Sequence, residues 1–360
     1  MRLRVVTAAS QQKQRVWVLC PLALLVLGLA LVSCSLGPYE EVRAPQVLRV
    51  FAHWVGLGHG AADPVQAMVV LNLRLPRVAL GILAGAALGM AGAALQGLFR
   101  NALADPALIG VSGGGAVGAV AMIVLGGTAL HGMSSMLGAF ALPVAAMAGG
   151  VAVTFLVYRL AKVEGRTHLT LMLLTGIAFN ALAGAVIGLM VYLATDEQIR
   201  ELTFWSMGSL TKAGWRQIGA AALFAVPAMI LLPRLARPLN ALLLGEAEAF
   251  HLGVPVQRVK KQLILLSAAM VGATVAVCGT IGFLGLVTPH LVRLAFGPDH
   301  RLVLPASGLL GAALLLLADI AARQLGAGYD ELPIGVVTAL AGAPVFLGLL
   351  WRARKSGEGI

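Results

Sequence analysis

Long apolar runs separated by short polar breaks dominate the chain. A helix that crosses a hydrocarbon core needs roughly 20 mostly apolar residues. Nine runs reach about that length, at roughly 16–36, 76–98, 107–126, 138–160, 171–194, 216–233, 262–287, 303–322 and 333–351. The seventh stays apolar through Pro289 to Phe296, about 35 residues in all, too long for one crossing and too short for two full ones. Gly282, Gly285 and Pro289 predict a break there, followed by a short half-helix at about 288–296 as the eighth segment. Irregular backbone at that depth is tolerable only when protein buries it or it lines a cavity. The pattern therefore predicts an all-α polytopic membrane protein: ten transmembrane helices over residues 16–351, between a tail at 1–15 and a tail at 352–360.

Composition removes the alternatives. With 59% hydrophobic and 11% charged residues and a mean hydropathy of +0.91, the chain lacks the polar surface to cover itself in water. The net charge of +11 would suit nucleic acid, but the cations stand singly or in pairs between apolar runs and form no basic stripe, so a nucleic-acid partner is excluded. They read as membrane anchors. If Arg2, Arg4, Lys13 and Arg15 are cytoplasmic, ten crossings return Arg352, Arg354 and Lys355 to the same side, whereas nine would not. On that topology 18 of the 26 Lys and Arg are inside. The other eight, Arg43, Arg49, Arg74, Arg77, Arg200, Lys212, Arg216 and Arg323, are outside. Leu31 to Cys34 loosely matches a lipoprotein cleavage site, but a plain first span agrees with the charge count. Cys20, Cys34 and Cys278 show neither metal nor disulfide spacing.

Several segments carry information. The connection RPLNALLLGEAEAFHLGVPVQRVKK at 237–261 is the longest on the inner side. Helical spacing from Leu239 to His251, Gly253 as the residue after a helix end and Pro255 opening another helix predict two short amphipathic helices. They suit a docked partner or a headgroup layer equally. At 100–106, RNALADP predicts a tight turn with Asp105 as helix cap and Pro106 in the first helical position. Before it, Gly81, Gly85, Gly89 and Gly92 form a small-residue stripe for close helix packing. Arg74, Arg77 and Arg323 read as exposed outer cations that could receive carboxylates of an external partner, or, for Arg323 with Asp319, as an i,i+4 pair. The periplasmic amphipathic segment 196–215, with Phe204, Trp205 and Trp215, could cap an entrance. His168 and His290 have no second ligand at metal spacing. Walker A, GxSxG and HExxH patterns are absent from the sequence, so it contains neither a catalytic residue nor a metal site by motif.

Together RLPRVALGILAGAALGMAGAALQGLFRNALADPALIGVSGG, DEQIRELTFWSMGSL, LLLGEAEAFHLGV, GTIGFLGLVTPHLVRL, LLLADIAAR and ELPIGVVTALAGAPVFLGLL, in unbroken order over about 70–351, resemble the permease family of bacterial ABC importers for iron-siderophores, haem and vitamin B12. The resemblance implies a type II importer permease in the bacterial inner membrane, with both termini cytoplasmic. It also implies a second copy of the chain as partner, two ATP-binding cassette subunits and a periplasmic substrate-binding protein, within membrane lipid. It implies no cofactor bound by this chain, ATP and Mg in the partner ATPase, and haem or another iron chelate as cargo, with ferric siderophore and cobalamin as alternatives. By the same resemblance, residues 239–252 are the segment that couples to the ATPase, through Leu243, Gly245, Glu246, Phe250, His251 and Gly253. Arg74, Arg77 and Arg323 are implied to dock the binding protein, and Asn101 and Leu103 to form the cytoplasmic gate, although Ala102 stands where the family often has Pro. An ion-coupled secondary transporter is the competing class, but such carriers place ionisable groups inside the membrane, and the span centres here are apolar.

Overall fold

The computed structural model describes residues 8–37, 42–56, 63–211, 214–326 and 331–356. Lys212 and residues 1–7 and 357–360 of the tails lie outside them. The first span and its approach form α1 (Ala8–Ser35), followed by α2 (Ala44–Trp54) and α3 (Pro64–Met68). A π-helical turn, Val69–Arg74, runs into α4 (Leu75–Phe99). A 3-10 turn, Pro106–Ile109, precedes α5 (Val111–Leu125); α6 (His131–Leu137) and α7 (Ala141–Leu160) follow. The strands β1 (Lys162–Val163) and β2 (Arg166–Thr167) form an antiparallel hairpin leading to α8 (Leu169–Leu193). Then come α9 (Asp196–Ser206), α10 (Trp215–Leu231), α11 (Ala236–Leu244), α12 (Glu246–His251), α13 (Val256–Cys278), α14 (Leu284–Phe296), α15 (His300–Leu325) and α16 (Ile334–Ser356). Seven helical stretches among the described residues are long and apolar enough to cross a membrane, and three shorter apolar ones lie at Val111–Leu125, Leu284–Phe296 and Ile334–Gly348.

The centre of the bundle is α4, because its glycines let neighbours touch its backbone. A methyl group on Gly85 would lie 2.4 Å from the Gly311 carbonyl oxygen, one on Gly89 2.2 Å from that of Ser307, and one on Gly92 1.8 Å from that of Gly285. The stripe read from the sequence is thus the contact surface for α15 and α14. In lipid such close backbone approach supplies the dispersion contacts that water would otherwise drive. A second close pair joins α5 and α7 at Gly114 against Gly149 and at Gly118 against Ala145.

Three boundaries differ from expectation. The first helix starts at Ala8 and not at 16, since Ala, Gln and Lys at 8–14 are all good helix formers. The seventh run ends at Cys278 and not at 287, and the half-helix begins at Leu284, so Pro289 lies inside it. Two left-handed residues, Gly279 (φ 71°) and Phe283 (φ 65°), make that break. Its polar groups are satisfied by the segment after α9: Ser209 N–H donates to the Cys278 carbonyl at 2.8 Å, and Thr280 Oγ1 to the Ser206 carbonyl at 2.5 Å. Pro289 inside α14 leaves the Gly285 carbonyl without its usual N–H, and that carbonyl lies against Gly92 of α4. Pro255, finally, opens no short helix; it caps the long α13, and the break in 239–251 comes at Gly245 (φ 135°).

Candidate functional sites

One end of the bundle carries α11 and α12. The chain leaves α10 through a 3-10 turn, Leu232–Leu235, and enters α11 without a loop. Ala236, Leu239 and Leu242 face the bundle and are buried. Gly245 (φ 135°) separates the two helices, and α12 rests on the bundle through Ala249, which is 0% exposed. At its far end Gly253 (φ 81°) lets Gly253 N–H reach the Phe250 carbonyl at 2.9 Å and Val254 N–H the Ala249 carbonyl at 3.0 Å. Those two bonds close a Schellman motif. The projection exposes large apolar side chains among charged ones: Leu244 is 67% exposed, Phe250 70% and Leu252 65%, beside exposed Glu248. Leu243 is half-buried, Gly245 buried, and Glu246, His251 and Gly253 exposed. Glu246 forms an ion pair with Lys260 at 2.6 Å.

The same end holds a polar cluster that the sequence reading missed. Asn240 on α11 donates to Asp299 Oδ1 at 2.6 Å, and its Oδ1 accepts the His300 backbone N–H at 2.9 Å and lies 2.9 Å from the His300 ring Nδ1. Arg15 of α1 stands 3.7 Å from Asp299. Partial burial pushes the Asp299 carboxyl up, but hydrogen bonds from Arg301 N–H and Asn240, with the charges of Arg301 and Arg15, leave it below the usual range. Asp299 caps α15 by accepting from Arg301 N–H at 3.0 Å. An Asp just before an apolar run is a readable cap signal. At this end too, the Asn101 side chain accepts from Leu103 N–H at 2.8 Å, which closes the turn around Ala102. Asn101 is exposed and Leu103 half-buried. Asp105 accepts from Ala107 N–H at 2.8 Å with Pro106 in the first helical position, as the sequence predicts, and burial pushes its carboxyl up.

The opposite end corrects the reading of the arginines as exposed. Arg74 is 6% exposed and donates to the carbonyls of Cys34 at 2.8 Å and Val42 at 2.7 Å. Arg77 is bound to Asp319 at 2.8 Å and to Glu331 at 2.8 Å. Arg323 pairs with Asp319 at 3.0 Å, the i,i+4 partner foreseen, and donates to the Ser33 and Leu36 carbonyls at 3.1 and 2.9 Å. Sequence spacing could show one of these pairs; the Arg74 contacts join residues 32 and 40 positions apart, and the remaining Arg77 and Arg323 contacts join residues more than two hundred apart. Beside this network lies a cavity of about 960 Å³, lined in part by Arg77, Glu201, Trp205, Asp319 and Glu331. One wall is α9, whose Thr195 and Gln198 form a capping box and whose Gln198 side chain donates to the Ile123 and Val124 carbonyls, both at 3.2 Å. Trp215 is not on that wall; it starts α10 and donates to the Leu71 carbonyl at 2.9 Å.

Comparison with known proteins matches this architecture to one family. The model of the FecCD transport family covers residues 22–352. The hemin transport system permease protein HmuU of Yersinia pestis is 45% identical over 80% of this chain and 85% of its own length. The vitamin B12 import system permease protein BtuC of Shigella boydii is 39% identical over 97% and 99%. A solved structure of an inward-facing, metal-chelate type ABC transporter superposes with a TM-score of 0.78 at 33% identity, covering 93% of this chain and 98% of that one. The family model spans most of the chain and these relatives align over four fifths of it or more, so the chain belongs to the FecCD transport family of membrane permeases.

Proposed function

We propose that two copies of this chain form the membrane path of an ATP-driven importer, that each crosses the bacterial inner membrane ten times, and that its cargo is haem. Ferric siderophore and cobalamin are the alternatives. The observation that supports a motor at the α11–α12 end is the apolar surface of Leu244, Phe250 and Leu252, held rigidly outward by Gly245 and Gly253. A headgroup layer would take the same apolar face, but it needs no fixed geometry, whereas a socket in a folded partner does. The basic tails and most of the chain's cations fall on that side of the ten-span reading, which supports a cytoplasmic placement.

In this account ATP binding and hydrolysis occur in the partner ATPase subunits, where ATP and Mg reside. Closure of those subunits displaces α11 and α12, with Leu243, Gly245, Glu246, Phe250, His251 and Gly253 in the coupling segment. Because α11 continues from α10 and α12 leads within a few residues into α13, the displacement reaches both spans. Asn240 carries it to the start of α15 through Asp299 and His300. The neighbouring turn of Asn101 and Leu103 is the cytoplasmic gate. Only contacts that differ between nucleotide states can shift the two conformations. At the other end a periplasmic substrate-binding protein docks through acidic side chains. Of Arg74, Arg77 and Arg323, Arg77 is the one a visiting carboxylate meets, by competing with the half-exposed Glu331; Arg323 shares Asp319 with it, and Arg74 holds the Cys34 and Val42 carbonyls.

Haem is preferred because the hemin permease aligns at 45% identity. The test is the ATPase rate of the reconstituted complex with its binding protein, offered haem, ferric siderophores or cobalamin. Haem should stimulate turnover several-fold over the others; stimulation by cobalamin or a siderophore alone reassigns the cargo. A secondary carrier is disfavoured because Asp319, the carboxylate buried among the described residues, is already neutralised by Arg77 and Arg323 at the end of its span.

A further inference from the structure

Lys260 is only 1% exposed, near the start of α13. A lysine ammonium out of water is costly unless its charge is paired and its protons are bonded. Here Nζ lies 2.6 Å from Glu246 Oε1 on α12 and donates to the Thr167 carbonyl on β2 at 2.8 Å. One turn earlier on α13, Gln257 Oε1 accepts the Thr167 backbone N–H at 2.9 Å. Both main-chain groups of Thr167 are therefore taken by side chains of α13, and the residue is 3% exposed. The hairpin that ends at Thr167 is stiff. Its two-residue loop, Glu164 (φ 48°) and Gly165 (φ 79°), has the paired positive φ of a type I′ turn. His168 N–H closes its base on the Ala161 carbonyl at 2.9 Å. Two residues beyond Thr167, α8 begins, a span that leaves most of its length exposed.

A single buried charge thus joins three elements: the projecting α12, the long α13 and the α7–α8 hairpin. An anchor needed only for stability could be apolar at such a site, since replacing a buried ion pair by packed hydrophobic groups is often neutral or better. A charge whose acidic partner sits at the rim, with its side chain 43% exposed, holds the hairpin to α12 in a way that depends on where α12 is. We propose that Lys260 is a positioning residue that transmits movement of α11 and α12 to the hairpin at 162–167 and so to α8. This rests on the importer reading, with α11 and α12 as the part moved by the ATPase.

The test uses the full complex with its ATPase subunits in proteoliposomes, comparing Lys260→Met, Glu246→Ala, Lys260→Arg and the Met/Ala double variant. Two quantities are read: cargo moved per ATP hydrolysed, and the distance between spin labels at Glu164→Cys and Ala247→Cys with and without trapped nucleotide. In the parent and in Lys260→Arg the labels should keep one separation in both states, since hairpin and α12 move together. In Lys260→Met and Glu246→Ala the separation should become nucleotide-dependent and cargo per ATP should fall at least fivefold. The double variant should be no worse than either single one, as expected for partners in one interaction. If Lys260→Met does not fold, Glu246→Ala at the rim decides alone. Parent-like separation and coupling in Glu246→Ala would overturn the proposal. A parent complex that hydrolyses ATP but moves no cargo refutes the importer reading instead, and the label distances still decide the tie.

Discussion

Asp105 shows how much a single residue can contribute at the α11–α12 end. Its side chain caps the turn before α5, but burial holds its carboxyl above the ordinary range. The native state therefore binds this proton more tightly than the unfolded chain does. Stability from this group falls as pH rises from the unfolded value, about 3.9, through the folded one. Asp105→Asn keeps an acceptor for Ala107 N–H and removes the charge, so it should match or exceed the parent in melting temperature at pH 7 and lose the advantage near pH 4. Asp105→Ala loses the cap and should cost about 1 kcal/mol near pH 4 and less at pH 7, where it also removes the buried charge. Melting of the detergent-solubilised protein across that range checks both. This cap was legible because Asp-Pro before an apolar run is a local signal, as was the glycine stripe of α4. Lys260, Asn240 and Arg74 were not legible: a polar residue in a helix looks solvated until a distant element is known to cover it. The arginines at 74, 77 and 323 read as exposed for the same reason, since their partners at Cys34, Glu331 and Ser33 are remote in sequence.

Among the elements, α12 is the shortest with a definite outward surface. The exposed Phe250 ring takes no part in seating it, since buried Ala249 and the Glu246–Lys260 ion pair hold α12 to the bundle. If that surface fills a pocket in an ATPase subunit, Phe250 is its central anchor, and truncating such an anchor costs at least 2 kcal/mol, roughly a 30-fold loss of affinity. Phe250→Ser should therefore leave the yield and melting temperature of the permease unchanged while the ATPase subunit is lost on copurification; retained stoichiometric assembly would remove α12 from the interface. The short pair was visible in the sequence as helical spacing punctuated by glycine, but its hinge was placed at Gly253 alone. Gly245 sits among helix formers and gives no periodic signal. The half-helix was displaced for a related reason: Pro289 is the loudest local signal, yet the break comes at Gly279 and Phe283, both at positive φ, beside bonds that tie Cys278 and Thr280 to the remote segment at 206–209. The box of Thr195 and Gln198 that staples α9 was readable from Thr-x-x-Gln and went unread.

Across the whole molecule, the two ends do different work. The α9 end closes Arg77 and Arg323 on Asp319 and Glu331 beside a large cavity, and the α11–α12 end holds Leu244, Phe250 and Leu252 exposed. The fold class was legible because lipid imposes a long apolar repeat that survives without any knowledge of contacts. The number and direction of crossings rest on charge counting, and the functional account depends on that direction. It is tested most directly by thiol labelling with a membrane-impermeant maleimide, in a background with the exposed Cys20 replaced by Ser. Ala247→Cys on α12 and Met136→Cys on α6, at opposite ends and both exposed, are the reporters. The account predicts that intact spheroplasts label at 136 and that 247 reacts only after the membrane is permeabilised; labelling of 247 from outside would contradict it.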